Sequence, residues 1–145
     1  MGYLDFPQAL PRLNSNNSEK KSDPDTGYNC IAFAAGDRFN WWWPIGRYWP
    51  PGVPREETLD AFVQAFNTLG YETCSGGTLT EDTEKIAIYA TPSGKPTHAA
   101  RQLECGKWTS KIGEDDDIHH TTPQDVEGPG YGEAAIFMGR PRDIS

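Results

Sequence analysis

Apolar residues along this chain fall into distinct patterns, and each predicts a different element. The run Tyr28-Asn29-Cys30-Ile31-Ala32-Phe33-Ala34-Ala35-Gly36 follows a polar stretch and reads as a short helix. Asn29 can cap it, Cys30 falls in the first turn, and Gly36 can end it. Residues 55–69 set Leu59, Phe62, Val63, Phe66 and Leu69 at spacings of three and four, with Glu56 and Glu57 in the first turn and Gly70 after the end. That spacing predicts an amphipathic helix. From residue 71 the pattern shortens. Residues 71–74, 84–91, 98–103, 107–112 and 133–139 look like strands, separated by turns such as Ser75-Gly76-Gly77 and Cys105-Gly106.

Between the two helices, residues 37–54 hold Trp41-Trp42-Trp43-Pro44, Tyr48-Trp49-Pro50-Pro51 and Pro54. So much proline excludes regular structure and predicts a folded loop pinned by its own aromatics. Trp41, Trp42, Trp43 and Trp49 could line a cleft beside Cys30, or pack the loop onto the domain. Residues 1–27, polar from Asn14 onward, read as an arm that buries little, which leaves 28–145 as one domain. Helices ahead of a series of hairpin-linked strands predict an α+β domain with an antiparallel sheet.

Composition narrows the classes. With 145 residues, 36% hydrophobic and 12% aromatic, the chain has apolar material for a single core. A formal net charge of −8, with lysines and arginines scattered, argues against a nucleic-acid-tracking surface. The first residues show no basic segment leading into an apolar one, and no window nears bilayer-spanning length, so no membrane association and a cytoplasmic location are expected. Cys30, Cys74 and Cys105 form no CxxC pair. The run Glu114-Asp115-Asp116-Asp117 lacks the alternation of a calcium loop, and the adjacent His119 and His120 point in different directions. Neither a metal nor another cofactor is expected.

Cys30 is the candidate for chemistry. A thiol in the first turn of a helix sits where unpaired N–H groups and the helix dipole favour the thiolate, the attacking form of cysteine. A nucleophile also needs a base, and of His98, His119 and His120 the best placed is His98, which opens a strand after Pro92-Ser93-Gly94-Lys95-Pro96. Cys74 and Cys105 lack basic neighbours and read as structural or incidental thiols.

Tyr28-Asn29-Cys30-Ile31-Ala32-Phe33 resembles the signature of the papain-like cysteine hydrolases, especially their bacterial cell-wall amidopeptidase branch. The resemblance implies a papain-like fold with N-terminal helices packed on an antiparallel β-sheet, Cys30 as nucleophile, His98 as base, and Ser110 nearest to the position that orients the imidazole. The stretch Ser22 to Gly27, a few residues before Cys30, holds no glutamine, so the oxyanion would be held by the Cys30 backbone N–H with the Tyr28 hydroxyl or the Asn29 side chain. Ser110 is neutral, and Asp115, Asp116, Asp117 or His120 are alternatives for its role. Trp43 and Arg101 are further substrate-side candidates, Arg101 for an anionic group. The chain is also similar to a set of short bacterial proteins that share Tyr28 to Ala34, Tyr48 to Pro54, Thr97 to Gln102, Trp108 to Gly113 and Ile118 with a following histidine, a set that brings no activity with it.

Two functions are therefore carried forward. One is a cysteine-dependent hydrolase or acyl transferase acting on an amide bond of a peptide or protein through Cys30 and His98. The other is a non-catalytic binding module, of inhibitor or immunity type, that uses the tryptophan-rich loop as its contact surface and whose acidity would suit a basic partner. The oligomeric state is not readable from the sequence.

Overall fold

The computed structural model describes residues 18–20, 28–37, 40–111, 117–128 and 131–141. Its centre is a seven-stranded sheet made of β1 (Ser18–Lys20), β2 (Glu72–Cys74), β3 (Thr83–Ala90), β4 (Pro96–Gln102), β5 (Trp108–Lys111), β6 (Asp117–His120) and β7 (Glu133–Pro141). The spatial order is β1-β6-β5-β4-β3-β7-β2, and every neighbouring pair is antiparallel. Strands β3 to β6 form a meander. The chain then crosses one face of the sheet through a 3-10 turn, Pro123–Val126, and returns on the far side of β3 as β7.

Among the described residues only two α-helices accompany this sheet, α1 (Cys30–Ala35) and α2 (Leu59–Asn67), of six and nine residues. The expected papain-like α+β arrangement is thus corrected to a mainly β architecture. None of the described helices is long and apolar enough to cross a membrane.

Local chemistry explains both helices. The Asn29 side chain accepts the Ala32 N–H at the start of α1, and Gly36, at φ 87°, ends it in a conformation that disfavours a Cβ. Helix α2 begins four residues later than the apolar spacing predicts, because Thr58, extended at φ −127° and ψ 153°, caps it through the Ala61 N–H. Glu56 and Glu57 therefore precede the helix. Its buried stripe of Ala61, Phe62, Ala65 and Phe66 faces the sheet, each phenylalanine contributing roughly 1.5–3 kcal/mol of burial.

Because strand side chains alternate, the sheet has two differently furnished faces. On one, Ile86, Ile88, Ala99 and Met138 meet α1, α2, Trp42 and Trp49. On the other, Ala87, Tyr89, Ala100, Trp108 and Ile118, joined by Ala134 and Phe137 of β7, pack with Val126 and Tyr131 from the crossover.

Two strands carry no hydrophobic signal. Residues 117–120, among which no strand was expected, form β6 with Ile118 and His120 buried. Residues 18–20, inside the expected polar arm, pair with β6 as β1, while 1–17 and 21–27 lie outside the described residues.

Candidate functional site

The tryptophan-rich loop is built on Asn29. Besides capping α1, its Oδ1 accepts the Trp42 N–H at 3.1 Å, and its Nδ2 donates to the Trp42 carbonyl at 2.7 Å. Asn29 is therefore a buried strut between helix and loop, with its amide engaged on the backbone. Trp42 and Trp49 go into the core, with their indole N–H groups donating to Asp37 Oδ2 and the Pro54 carbonyl. The guanidinium of Arg55 closes the loop from outside, with Nη1 donating to the carbonyls of Pro44 at 3.1 Å and Arg47 at 3.0 Å.

Trp41 and Trp43 stay half-buried. With Ile45, Arg47, Asn29 and Cys30 they line a pocket of about 360 Å³, closed on the sheet side by Thr97 and Tyr131. Trp43 is backed by Phe62 at 5.4 Å, and Arg47 lies over the Trp41 ring at 5.2 Å. So the loop's four tryptophans divide evenly: two pack the core and two shape the pocket.

Cys30 opens α1 and lines this pocket, but it is only 7% exposed. Its sulfur lies 4.0 Å from the Thr97 carbonyl oxygen, to which the S–H donates. Burial pushes the thiol up to about 11, outweighing the backbone N–H groups and Lys111, which pull the other way. The dipole of a six-residue helix does not overcome desolvation here, and the side chain is a neutral thiol near pH 7.

His98 is on the other side of the sheet. It is the third residue of β4, and while its neighbour Ala99 faces α1, the His98 ring is sandwiched between Tyr89 at 5.1 Å and Tyr131, stacked at 4.0 Å and 7°. Cys30 and His98 are thus not brought together, whereas His98 and Ser110 are. The His98 Nε2 is 3.1 Å from Ser110 Oγ, Ser110 Oγ is 2.8 Å from His120 Nε2, and His120 Nδ1 is 2.8 Å from the Thr122 carbonyl.

Proton placement along this buried chain follows from its last link. A carbonyl only accepts, so His120 Nδ1 carries hydrogen and its Nε2 is bare. Ser110 then donates to His120, and its oxygen accepts from His98 Nε2–H. The remaining His98 nitrogen, Nδ1, is buried without a partner among the described residues. Both rings are neutral. Burial lowers His98 well below 6.5, with His120 adding to the effect. His120 is lowered to about 4, again by burial first, against the Thr122 hydrogen bond and Asp125.

Other candidates lie elsewhere. The Tyr28 ring is in the core, stacked on Phe33 and covered by the Lys111 ammonium at 4.9 Å. Arg101 lies over Phe33 on the α1 face of the sheet and does not line the pocket. Asp115 and Asp116 lie outside the described residues, and Asp117 is placed only as the first residue of β6. Among the described residues no cluster of three or more histidine, cysteine or acidic side chains could hold a metal ion.

A family described as "Domain of unknown function (DUF7689)" matches residues 19–139. The chain belongs to this family. No curated protein and no solved structure matches the chain. The matched span runs from β1 into β7, so the family's domain includes both the pocket and the buried His98-Ser110-His120 chain.

Tyr131, Thr97, Arg47 and Ile45 were not singled out as pocket residues by sequence reasoning. The available signal for Tyr131 was an aromatic set among glycines, Gly128-Pro129-Gly130-Tyr131-Gly132, where local structure is made for a purpose other than a strand.

Proposed function

We propose that this chain is a non-catalytic binding module that receives its ligand in the pocket between the tryptophan-rich loop, the start of α1 and Tyr131. One observation carries the reading: the pocket has aromatic walls and a thiol, but no imidazole or carboxylate lines it among the described residues. Small-ligand sites are typically concave and largely apolar with a few polar groups, and begin at roughly 300 Å³. This one suits a small molecule or a single side chain. Asn29 and Arg55 hold the loop in shape, so the site is organised before anything enters it.

Cysteine-dependent hydrolysis or acyl transfer at an amide is the second reading. In its favour, Cys30 begins a capped helix and borders an open pocket. Against it, the sulfur has a carbonyl oxygen beside it where the mechanism needs a base, and His98 would have to reach it through the sheet. The two readings part on acylation. Incubation with p-nitrophenyl acetate near pH 7, followed by peptide mass spectrometry, should leave Cys30 no more acetylated than exposed Cys74. Rapid stoichiometric acetylation of Cys30 would overturn the binding reading in favour of the hydrolase.

A further inference from the structure

We infer that the pocket selects a small aromatic carboxylate, an anion with a flat apolar body, with Arg47 as the residue that recognises the charge. The inference rests on the binding reading above and goes beyond it by naming the ligand's chemistry.

The walls determine the body. Trp41 and Trp43 present two aromatic surfaces, and Ile45, 57% exposed at the rim, extends the apolar lining, while Tyr131 borders the pocket beside Thr97 with its ring stacked on His98. Planar rings are held well by such surfaces through offset or edge contacts. At about 360 Å³ the space is at the low end for ligand sites, which favours one compact molecule over a length of polypeptide.

The rim determines the charge. Among the described residues Arg47 is the only cationic one bordering the pocket, and no acidic side chain lines it. Its guanidinium lies over Trp41, so one face is fixed against the ring while its N–H edge remains available for a carboxylate. Its backbone is held as well, through the hydrogen bond from Arg55 to the Arg47 carbonyl. Aromatic walls alone would also suit an organic cation. A guanidinium at the mouth opposes that occupant, and among the described residues no carboxylate lines the pocket to offset it. The chain's overall charge of −8 works against anions at long range, so selection depends on the short-range contact and survives moderate salt.

The test uses indole-3-acetate, its uncharged counterpart indole-3-acetamide, and the phenyltrimethylammonium cation, with tryptophan fluorescence for affinity and protection of Cys30 from slow alkylation for location. Indole-3-acetate should bind at least about tenfold tighter than the amide, as expected for a charge-assisted contact. Arg47→Ala should bring the acid down to the amide's affinity and leave the amide unchanged. Arg55→Ala, which loosens the loop, should weaken acid and amide alike. Equal affinity for acid and amide, or tighter binding of the cation, would overturn the assignment while leaving a binding pocket in place. Failure of all three probes to bind or to protect Cys30 would overturn both. A tripeptide ending in tryptophan carries the same head group, and tighter binding of that peptide than of the free acid would overturn the assignment to a small molecule.

Discussion

The carbonyl of Thr122 accepts a hydrogen bond from His120 Nδ1 at 2.8 Å, and this contact orders the protons of a buried chain that continues through Ser110 to His98. Both imidazoles are neutral inside the fold, and acid is therefore expected to destabilise it. An unfolded histidine takes up its proton near pH 6.5, whereas folded His120 does so only near 4 and His98 well below 6.5. Between those values the unfolded state binds more protons, so stability rises with pH, is full above about 6.5 and is lost as pH falls towards 4. His120 alone accounts for about 3 kcal/mol of that loss. Urea unfolding of the wild type and of His120→Gln from pH 4 to 7 checks this. The variant should be less stable at pH 7, and the gap should narrow as pH falls. A constant gap would show that His120 does not titrate between the two states.

Ser110→Ala removes the hydroxyl that serves both rings. His120 Nε2 and His98 Nε2–H would be left buried and unpaired, at about 1–3 kcal/mol for each group. Denaturant unfolding should show a loss larger than that of Thr109→Ala, whose hydroxyl makes one hydrogen bond, to the Ile118 carbonyl.

Asn29→Ala should cost about 2 kcal/mol or more, because it removes the cap of α1 and both hydrogen bonds to Trp42. Asn29→Asp keeps the acceptor oxygen but loses donation to the Trp42 carbonyl, and should fall between. Thermal unfolding ranks the three proteins.

Gly132 and Gly94 both have positive φ, at 77° and 89°, but only Gly132 is crowded: a Cβ there would be 2.0 Å from the Ala90 carbonyl oxygen, while at Gly94 nothing lies within 4 Å. Gly94→Ala should cost about 1–2 kcal/mol, the left-handed penalty alone. Gly132→Ala should cost clearly more, since backbone must shift. Comparable melting temperatures for the two variants would contradict the packing of Tyr131 and its neighbours against β3.

These sites also mark what the sequence could disclose. Helix α1 was legible because Asn29 and Gly36 are local signals whose meaning does not depend on the rest of the fold. Strand β6 was not legible, since Asp117-Ile118-His119-His120 reads as polar until the crossover at Pro123–Val126 is known to cover that face. The face of His98 was equally hidden. Strand β4 begins at Pro96, and period-two alternation turns a question of one residue into a question of which side of the sheet the imidazole occupies. The resemblance around Cys30 spans one short helix and carries no information about that register. The pocket was half legible: the tryptophans announced a packed loop, but only the fold reveals that Trp41 and Trp43 share a pocket with Thr97 and Tyr131 from distant parts of the chain.

Alkylation of Cys30 as a function of pH, in a variant with Cys74 and Cys105 replaced by serine, tests the state of the thiol most directly. A buried neutral thiol, raised to about 11, reacts slowly and gains about tenfold in rate per pH unit through pH 9 without levelling off. A rate that is already on a plateau below about pH 7 would mean a thiolate stabilised by a nearby imidazolium, and would contradict the separation of Cys30 from His98 across β4.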